Sequence, residues 1–227
     1  MTRRLDTIYN LIENGRGIID VGTDHGYIPV KLAKSGYTGK IFASDINELP
    51  LKAAILNAEN ENVSDRIEFR ITDGLKGFRK KDADTVIICG MGGDLIAKII
   101  DDCAFLERSD IKLILQPMTK PEILRYYLIN NGWKINKEII VRENGKLFQI
   151  LSVKYTGVFI GSLMNKNISL TDAELFTGQY ENIRDSEYFS DIIDSFEARL
   201  SKKLKSKDSS FYKMIINQLD SMRLRHG

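Results

Sequence analysis

The clearest indication of the fold class is the stretch Ile18-Ile19-Asp20-Val21-Gly22-Thr23-Asp24-His25-Gly26-Tyr27. A short apolar run that ends in an acid, then a glycine-containing turn, then a helical pattern predicts a strand–turn–helix unit. Doubly wound α/β folds bind nucleotides at such units. The match to G-x-G-x-x-G fails, because Asp24 stands where the second glycine belongs. A dinucleotide site is therefore disfavoured, and two carboxylates here would also repel a pyrophosphate.

The same pattern recurs along the next 130 residues. Strands are predicted at Ile18–Val21, Lys40–Ser44, Arg66–Ile71, Thr85–Cys89, Lys112–Gln116, Trp133–Val141 and Phe148–Tyr155. Helices are predicted at Ile28–Ser35, Leu49–Asn60, Asp94–Phe105 and Glu122–Asn130. No helix separates the last two strands, and Glu143-Asn144-Gly145 is a turn signal, so these strands are expected to form an antiparallel hairpin. The fold class is α/β, a doubly wound seven-stranded sheet with that hairpin at one edge.

Composition excludes several classes of protein. The 227 residues include 33 Lys and Arg against 31 Asp and Glu, and 43% are hydrophobic, which predicts a folded core rather than disorder. Two cysteines and two histidines supply neither a disulfide framework nor a metal site. The N-terminus lacks a signal peptide's apolar core, and no apolar run reaches the length of a membrane helix. We therefore expect a cytoplasmic protein that binds neither metal nor membrane.

The C-terminal third has a different pattern. Thr171-x-x-Glu174 is a capping-box signature, and two stretches with helical apolar spacing follow, from Phe189 to Leu204 and from Phe211 to Met222. We predict a sheet domain over residues 1–157 and a helical hairpin domain over residues 158–227. The basic run Arg199–Lys207 could bind RNA, although charge patterning alone favours a solvated helix face.

Four strand ends carry residues suited to one ligand. The acid Asp20 lies near the end of the first strand. Asp45 follows the second strand and suits ribose hydroxyls, and Asp73 with Gly74 follows the third and suits an exocyclic amine. After the fourth, Gly90-Met91-Gly92-Gly93 predicts a loop that a flat ligand can approach closely. Three acids at the strand ends, together with the absence of a phosphate-binding loop, favour S-adenosylmethionine as the ligand.

The motifs at these strand ends resemble the bacterial tRNA (adenine(22)-N(1))-methyltransferase family. The resemblance is carried by Asp20–Pro29, Ala43–Asp45, Asp73–Leu75, Gly90–Gly93 and Leu113–Met118, with Arg4-Leu5 near the start. It implies a Rossmann-like methyltransferase sheet, a C-terminal coiled-coil domain, and methylation of N1 of adenine 22 in tRNA. The glycines of Gly90–Gly93 stand where many amino-directed methyltransferases have an (Asn/Asp)-Pro-Pro motif, which suits a ring-nitrogen target.

Position, residue type and the chemistry of the implied reaction assign residues to the cofactor and to catalysis. The cofactor-binding set is Asp20, Gly22, Thr23, Gly26, Asp45, Ile46, Asp73, Gly74, Gly90 and Met91. The catalytic set is Asp24, His25, Gly90, Gln116 and Pro117. Asp24 would stabilise the positive charge that develops on the adenine, or bind cofactor. His25 would position the methionine part or move a proton on N6, or simply begin a helix. Gly90, Gln116 and Pro117 would line the adenine pocket.

Binding of tRNA requires cations for its phosphates. The predicted RNA-binding set is Arg3, Arg4, Tyr27, Gly92, Lys120, Arg125, Lys202 and Lys203, with Lys205 and Lys207 extending the last patch. Tyr27 would stack on a base, and the protein is expected to be a monomer. Two alternatives stay open: the same cofactor chemistry on another RNA, a protein or a small molecule, and a non-catalytic RNA-binding module.

Overall fold

A computed structural model describes residues 2–107, 110–158, 171–204 and 208–226. Seven strands form one sheet in the order β3-β2-β1-β4-β5-β7-β6. They are β1 (Gly17–Val21), β2 (Lys40–Asp45), β3 (Glu68–Ile71), β4 (Thr85–Gly92), β5 (Lys112–Thr119), β6 (Trp133–Glu143) and β7 (Lys146–Tyr155). β7 runs antiparallel to both β5 and β6, while the other pairs are parallel. The predicted fold class, including the edge hairpin, is confirmed.

Helices cover both faces of the sheet. They are α1 (Arg3–Asn10), α2 (Tyr27–Lys34), α3 (Glu48–Asn60), α4 (Gly93–Asp101) and α5 (Pro121–Asn130). One buried cluster contains Ile19 and Val86 with the inner face of α4, and the other contains Ile18 and Ile87 with that of α2. Adjacent strand residues thus enter opposite cores, which is why these strands read as continuous apolar runs.

Several predicted boundaries differ from the structure, and the larger differences have physical reasons. Ser64–Arg66 forms a 3-10 turn, so β3 starts at Glu68. The helical periodicity after α4 continues through Ala104–Leu106, a separate 3-10 turn whose Leu106 is buried in the same core. The glycine stretch is not a free loop, because Met91 pairs with Pro117 and Gly92 with Thr119 across shifts of register. β4 and β5 therefore extend past the predicted strand ends.

Four helices follow the sheet: α6 (Asp172–Thr177), α7 (Tyr180–Ile183), α8 (Phe189–Ser201) and α9 (Ser209–His226). The predicted capping box forms at α6, since Thr171 Oγ1 accepts from the Glu174 N–H and the Glu174 carboxylate accepts from the Thr171 N–H. The rings of Phe189 and His226, at opposite ends of their helices, lie 4.2 Å apart, so α8 and α9 are antiparallel. The division at residue 157 and the coiled-coil geometry stay predictions.

A buried polar joint attaches these helices to the sheet. The fully buried guanidinium of Arg125 donates from Nε to Glu138 Oε1 at 2.7 Å and from Nη2 to Gln149 Oε1 at 3.0 Å. It also donates to the backbone carbonyl of Leu175 at 2.9 Å. Glu138 Oε2 accepts the Gln179 N–H at 2.5 Å. The joint therefore fixes the end of α6 and the start of α7 against α5 and the β6–β7 hairpin.

Within the described ranges, no helix has the length and apolar character needed to cross a membrane. The same residues contain no group of three or more His, Cys, Asp or Glu side chains arranged to hold a metal ion.

Candidate active site

A cleft of about 460 Å³ opens at the carboxyl ends of β1, β2 and β4. This is the edge where open α/β sheets bind ligands, and the volume lies in the range of small-molecule sites. Its lining is Thr2, Arg4, Leu5, Asp20, Gly22, Thr23, Asp24, His25, Tyr27, Ile28, Asp45, Asn47, Pro50, Cys89, Gly90 and Met91.

Asp20 is the buried acid of the cleft. Its Oδ2 accepts a hydrogen bond of 2.7 Å from Thr23 Oγ1. Burial raises the pKa of Asp20 to about 6, the negative charge of Asp45 adds to the rise, and the Thr23 bond opposes it. A cation that enters the cleft beside Asp20 would therefore relieve an unfavourable buried charge.

Gly22 and Met91 meet across the floor of the cleft. Gly22 has φ +72°, and a Cβ placed there would lie 2.2 Å from Met91 Cε. The backbone conformation thus favours glycine here, and any larger residue would also have to displace the flexible end of the Met91 side chain. At Gly90, φ is +80° and a Cβ would meet open space, so this glycine leaves the cleft free on the β4 side.

Asp45 forms the far wall, at the end of β2. Its Oδ1 accepts the Asn47 N–H at 2.8 Å, and Oδ2 accepts no hydrogen bond from a described residue. A carboxylate with one open oxygen at this place suits a ribose hydroxyl donor. At the rim, Asp24 adopts φ +45°, its carboxylate lies 3.9 Å from His25 Nε2, and the His25 and Tyr27 rings lie 5.4 Å apart.

Arg4 forms the wall opposite Asp45. It is the only Lys or Arg among the described residues that line the cleft. Nη1 donates to Gln116 Oε1 at 2.7 Å, the backbone N–H donates to Glu143 Oε2 at 2.9 Å, and the guanidinium lies 5.2 Å from the Phe148 ring centroid. Gln116 is wholly buried beneath this arginine and donates from Nε2 to the Pro117 carbonyl at 2.9 Å. The amide therefore does not face the cleft, where the sequence placed it against the base.

Some predicted cofactor residues lie outside this lining. Gly26 is the N-cap residue of α2 and has φ +65°. Ile46 is exposed, and Asp73 pairs with Lys76 Nζ at 2.5 Å on the surface. Gly74 packs against Ile99. Their contact with cofactor stays a prediction.

The adenine-pocket residues divide between two cavities. Gly90 lines the cleft, whereas Pro117 lines a neighbouring groove of about 850 Å³ between the end of β5, the β6–β7 hairpin and α8. Gly92 precedes α4 beside Asp94 and Thr119. The structure therefore places Gly90 and Pro117 on different cavities.

The predicted RNA-binding cations are placed differently from one another. Arg3 pairs with Glu187 and donates to the Tyr188 hydroxyl at 2.7 Å, and Lys120 Nζ lies 2.6 Å from Asp94 Oδ2. Lys202 and Lys203 are exposed after α8. Lys205 and Lys207 lie outside the described residues. Arg125 is a correction: its guanidinium is buried in the joint described above and does not reach a phosphate.

The sequence missed several residues of the cleft. They are Thr2, Leu5, Ile28, Asn47, Pro50 and Cys89. Asn47 and Pro50 follow Asp45 closely, and position alone could have suggested them. Glu143 and Phe148, which hold Arg4, lie over 130 residues away along the chain and leave no local signal.

The residues of the cleft fit S-adenosylmethionine. A carboxylate with an open oxygen suits the ribose, a buried acid with a raised pKa suits an ammonium, and the backbone at Gly22 and Gly90 leaves room for close approach.

Comparisons with known proteins agree with this chemistry. Residues 1–151 match the family described as "Methyltransferase domain". The tRNA (adenine(22)-N(1))-methyltransferase of Bacillus subtilis is 31% identical over 66% of this chain, and the match spans 63% of that protein's length. The structure of the B. subtilis m1A22 tRNA methyltransferase TrmK is 26% identical, with a TM-score of 0.72 over 99% of this chain and 96% of that one. M. capricolum TrmK in complex with S-adenosyl-homocysteine, its natural cofactor product, is 25% identical, with a TM-score of 0.75 over 100% and 97% of the two chains.

Proposed function

The chain belongs to the methyltransferase family that matches its residues 1–151, and from this premise we propose that it transfers a methyl group from S-adenosylmethionine to N1 of adenine 22 in tRNA. The observation that carries the proposal is the single cleft in which Asp20, Asp45, Gly90 and Arg4 meet at the carboxyl edge of the sheet. The similarity to TrmK, over nearly the whole of both chains, supports the choice of base.

The reaction requires little proton chemistry. When bound, S-adenosylmethionine would supply an electrophilic methyl group, and its sulfur would keep the electron pair of the broken S–C bond and become a neutral thioether. The lone pair of adenine N1 lies in the ring plane and forms the new N–C bond, so the base becomes a cation without losing a proton. The protein must hold the unstacked adenine in line with the methyl group and exclude water.

Residues at the rim of the cleft suit this task. The exposed carboxylate of Asp24 would stabilise the cationic ring as it forms, because opposite charges attract more strongly in a partly desolvated site. His25 and Tyr27 would offer ring faces to the base. No group here has to act as an obligatory base.

The substrate implies the setting in which the protein acts. We assign tRNA as the partner and the cytoplasm as the location, and we expect a monomer. Arg3, Lys120, Lys202 and Lys203 are the exposed cations that would contact phosphates around the bound arm, although Arg3 and Lys120 would first have to leave their acidic partners.

Methyl transfer to two matched tRNA transcripts tests the proposal. One transcript carries adenine at position 22 and the other guanine, and both are incubated with labelled S-adenosylmethionine. We expect 1-methyladenosine in the first transcript only, identified by nucleoside mass analysis. Label in neither transcript, with cofactor still bound, would assign the chain to another substrate, and absence of cofactor binding would exclude the methyltransferase.

A further inference from the structure

The cleft holds three carboxylates and one fixed cation. Asp20, Asp24 and Asp45 line it together with Arg4, which is the only Lys or Arg there among the described residues. S-adenosylmethionine carries an ammonium, a sulfonium and one carboxylate. The aspartates can pair with the ammonium and the sulfonium of the cofactor. The Arg4 guanidinium then remains as the partner for the cofactor's carboxylate.

The positions of these groups match an extended cofactor. Asp45 ends β2, on one side of β1, whereas Arg4 rests on Gln116 of β5, on the other side. Asp20 lies between them, because it belongs to β1, which stands between β2 and β5 in the sheet, and all three side chains line the same cleft. With the ribose at Asp45, the amino-acid end of the ligand reaches Asp20 and Arg4.

The guanidinium is fixed before any ligand arrives. It stacks over Phe148 and bonds through Nη1 to the buried Gln116. Glu143 accepts the Arg4 backbone N–H, and its Oε1 lies 3.8 Å from Nε, beyond hydrogen-bond distance. Nε is buried with no hydrogen-bond partner, and Nη1 is the only guanidinium nitrogen bonded to a described residue. Arg4 thus keeps donor capacity for a bidentate oxyanion.

We propose that Arg4 binds the carboxylate of the cofactor's methionine portion, and that Gln116 is the positioning residue that holds this arginine, not a reader of the target base. The proposal rests on the proposed function. The Gln116 amide can hold Arg4 from its buried position. It cannot contact a base without rearrangement, because the side chain has no exposed surface. An RNA phosphate is the other oxyanion that could meet Arg4, and the experiment separates the two.

Equilibrium binding without RNA tests the carboxylate directly. The probes are S-adenosylmethionine and decarboxylated S-adenosylmethionine, which keeps the ammonium and the sulfonium. We expect wild type to bind the decarboxylated probe about 10- to 100-fold more weakly, the range for hydrogen bonds to charged groups. Arg4→Met should bind both probes equally within about twofold, while Arg4→Lys should keep part of the discrimination.

Gln116→Leu tests the positioning role, because it keeps the charge of Arg4 and removes its buried acceptor. We expect its discrimination between the two probes to fall at least threefold, with KM for S-adenosylmethionine raised more than kcat is lowered. Arg16→Met is the matched control: Arg16 lies at the opposite edge of the sheet and pairs with Asp84 and Asp110. It should discriminate as wild type does. Thermal unfolding without ligand verifies that each variant is folded.

Three results would overturn the assignment. They are equal affinity of wild type for both probes, full discrimination by Arg4→Met, and unchanged cofactor affinity of Arg4→Met with a tenfold weaker affinity for tRNA, which would assign Arg4 to a phosphate. Loss of discrimination in Arg4→Met but not in Gln116→Leu would overturn the role of Gln116. If wild type binds neither probe, the proposed function itself fails, which is a different outcome.

Discussion

Asp20 connects stability to cofactor binding at the level of one residue. Its pKa of about 6 in the folded protein exceeds the ordinary value of 3.8, so the folded state holds this proton more tightly than the unfolded chain does. The stability gained from that proton is complete below pH 4 and is lost as the pH rises through 6. A shift of this size corresponds to about 3 kcal/mol.

Asp20→Asn should therefore raise the free energy of unfolding at pH 7.5 by up to about 3 kcal/mol. Asn keeps an acceptor for Thr23 and cannot ionise. The same substitution should weaken binding of S-adenosylmethionine, because the ammonium loses its carboxylate partner. Urea unfolding without ligand at pH 7.5 and pH 4.5 checks the first effect, which should shrink at the lower pH. A stability gain that does not change between the two pH values would contradict this account.

Gly22→Ala should destabilise the protein by about 1–2 kcal/mol, through its positive φ and through the approach of Met91 Cε. Gly77→Ala is the matched control, since Gly77 has φ +80° and a Cβ there meets no atom within 4 Å. Adding Met91→Ala should recover the part of the loss that exceeds the control. Chemical denaturation of the two single variants and the double variant measures this coupling, and strictly additive effects would show that Met91 is not the obstacle.

Sequence and structure agree best at the scale of single strand ends. Asp20, Gly22, Thr23, Asp45, Gly90 and Met91 were predicted from position and residue type, and all line the cleft. Strand ends are local features, and parallel strands bring them to one edge. The partnership of Arg4 with Gln116 joins residues 112 positions apart, so no local pattern could show that the amide is covered by an arginine.

At the scale of elements, Arg125 shows how one charge joins three segments. Arg125→Met should lower the free energy of unfolding by about 3–5 kcal/mol, because it leaves Glu138 buried without its cation. Arg142→Met provides the control: this exposed arginine pairs with Asp191, and its loss should stay within about 1 kcal/mol. Denaturant unfolding of both variants makes the comparison, and equal losses would contradict a special role for the buried joint.

The amphipathic pattern explains why α5 was predicted correctly whereas the role of its Arg125 was predicted wrongly. The sequence predicts Arg125 as an RNA-binding cation near the active edge, and arginine is indeed mostly exposed in folded proteins. Its acceptors lie on β6, β7 and the α6–α7 turn, which meet only once the helical segment has folded against the sheet. Helical periodicity reports which face is apolar. It does not report a buried polar partner contributed by distant segments.

For the molecule as a whole, the comparisons confirm the resemblance to tRNA (adenine(22)-N(1))-methyltransferases, and the sheet brings the strand ends to one edge, as the alternation of strands and helices predicted. Where the RNA contacts the protein should depend on which cations are free of acidic partners. Most cations near the cleft already have acidic partners: Arg3 has Glu187, Lys120 has Asp94, and Arg142 has Asp191. The lysines after α8 differ, because Lys202 and Lys203 are exposed and form no ion pair with a described residue.

Lys202→Gln combined with Lys203→Gln should consequently weaken tRNA binding about tenfold at 0.1 M salt. It should reduce the steepness of log Kd against log salt by up to about 2, because two fewer counterions are released. Affinity for S-adenosylmethionine and kcat at saturating tRNA should stay as in wild type, since both lysines lie outside the cleft. Lys40→Gln with Lys81→Gln makes the same charge change at the opposite edge of the sheet and should leave tRNA binding within about twofold. Filter binding of a tRNA transcript over a salt series measures both pairs. An equal slope change in the two double variants would show that net charge, and not the helical segment, attracts the RNA.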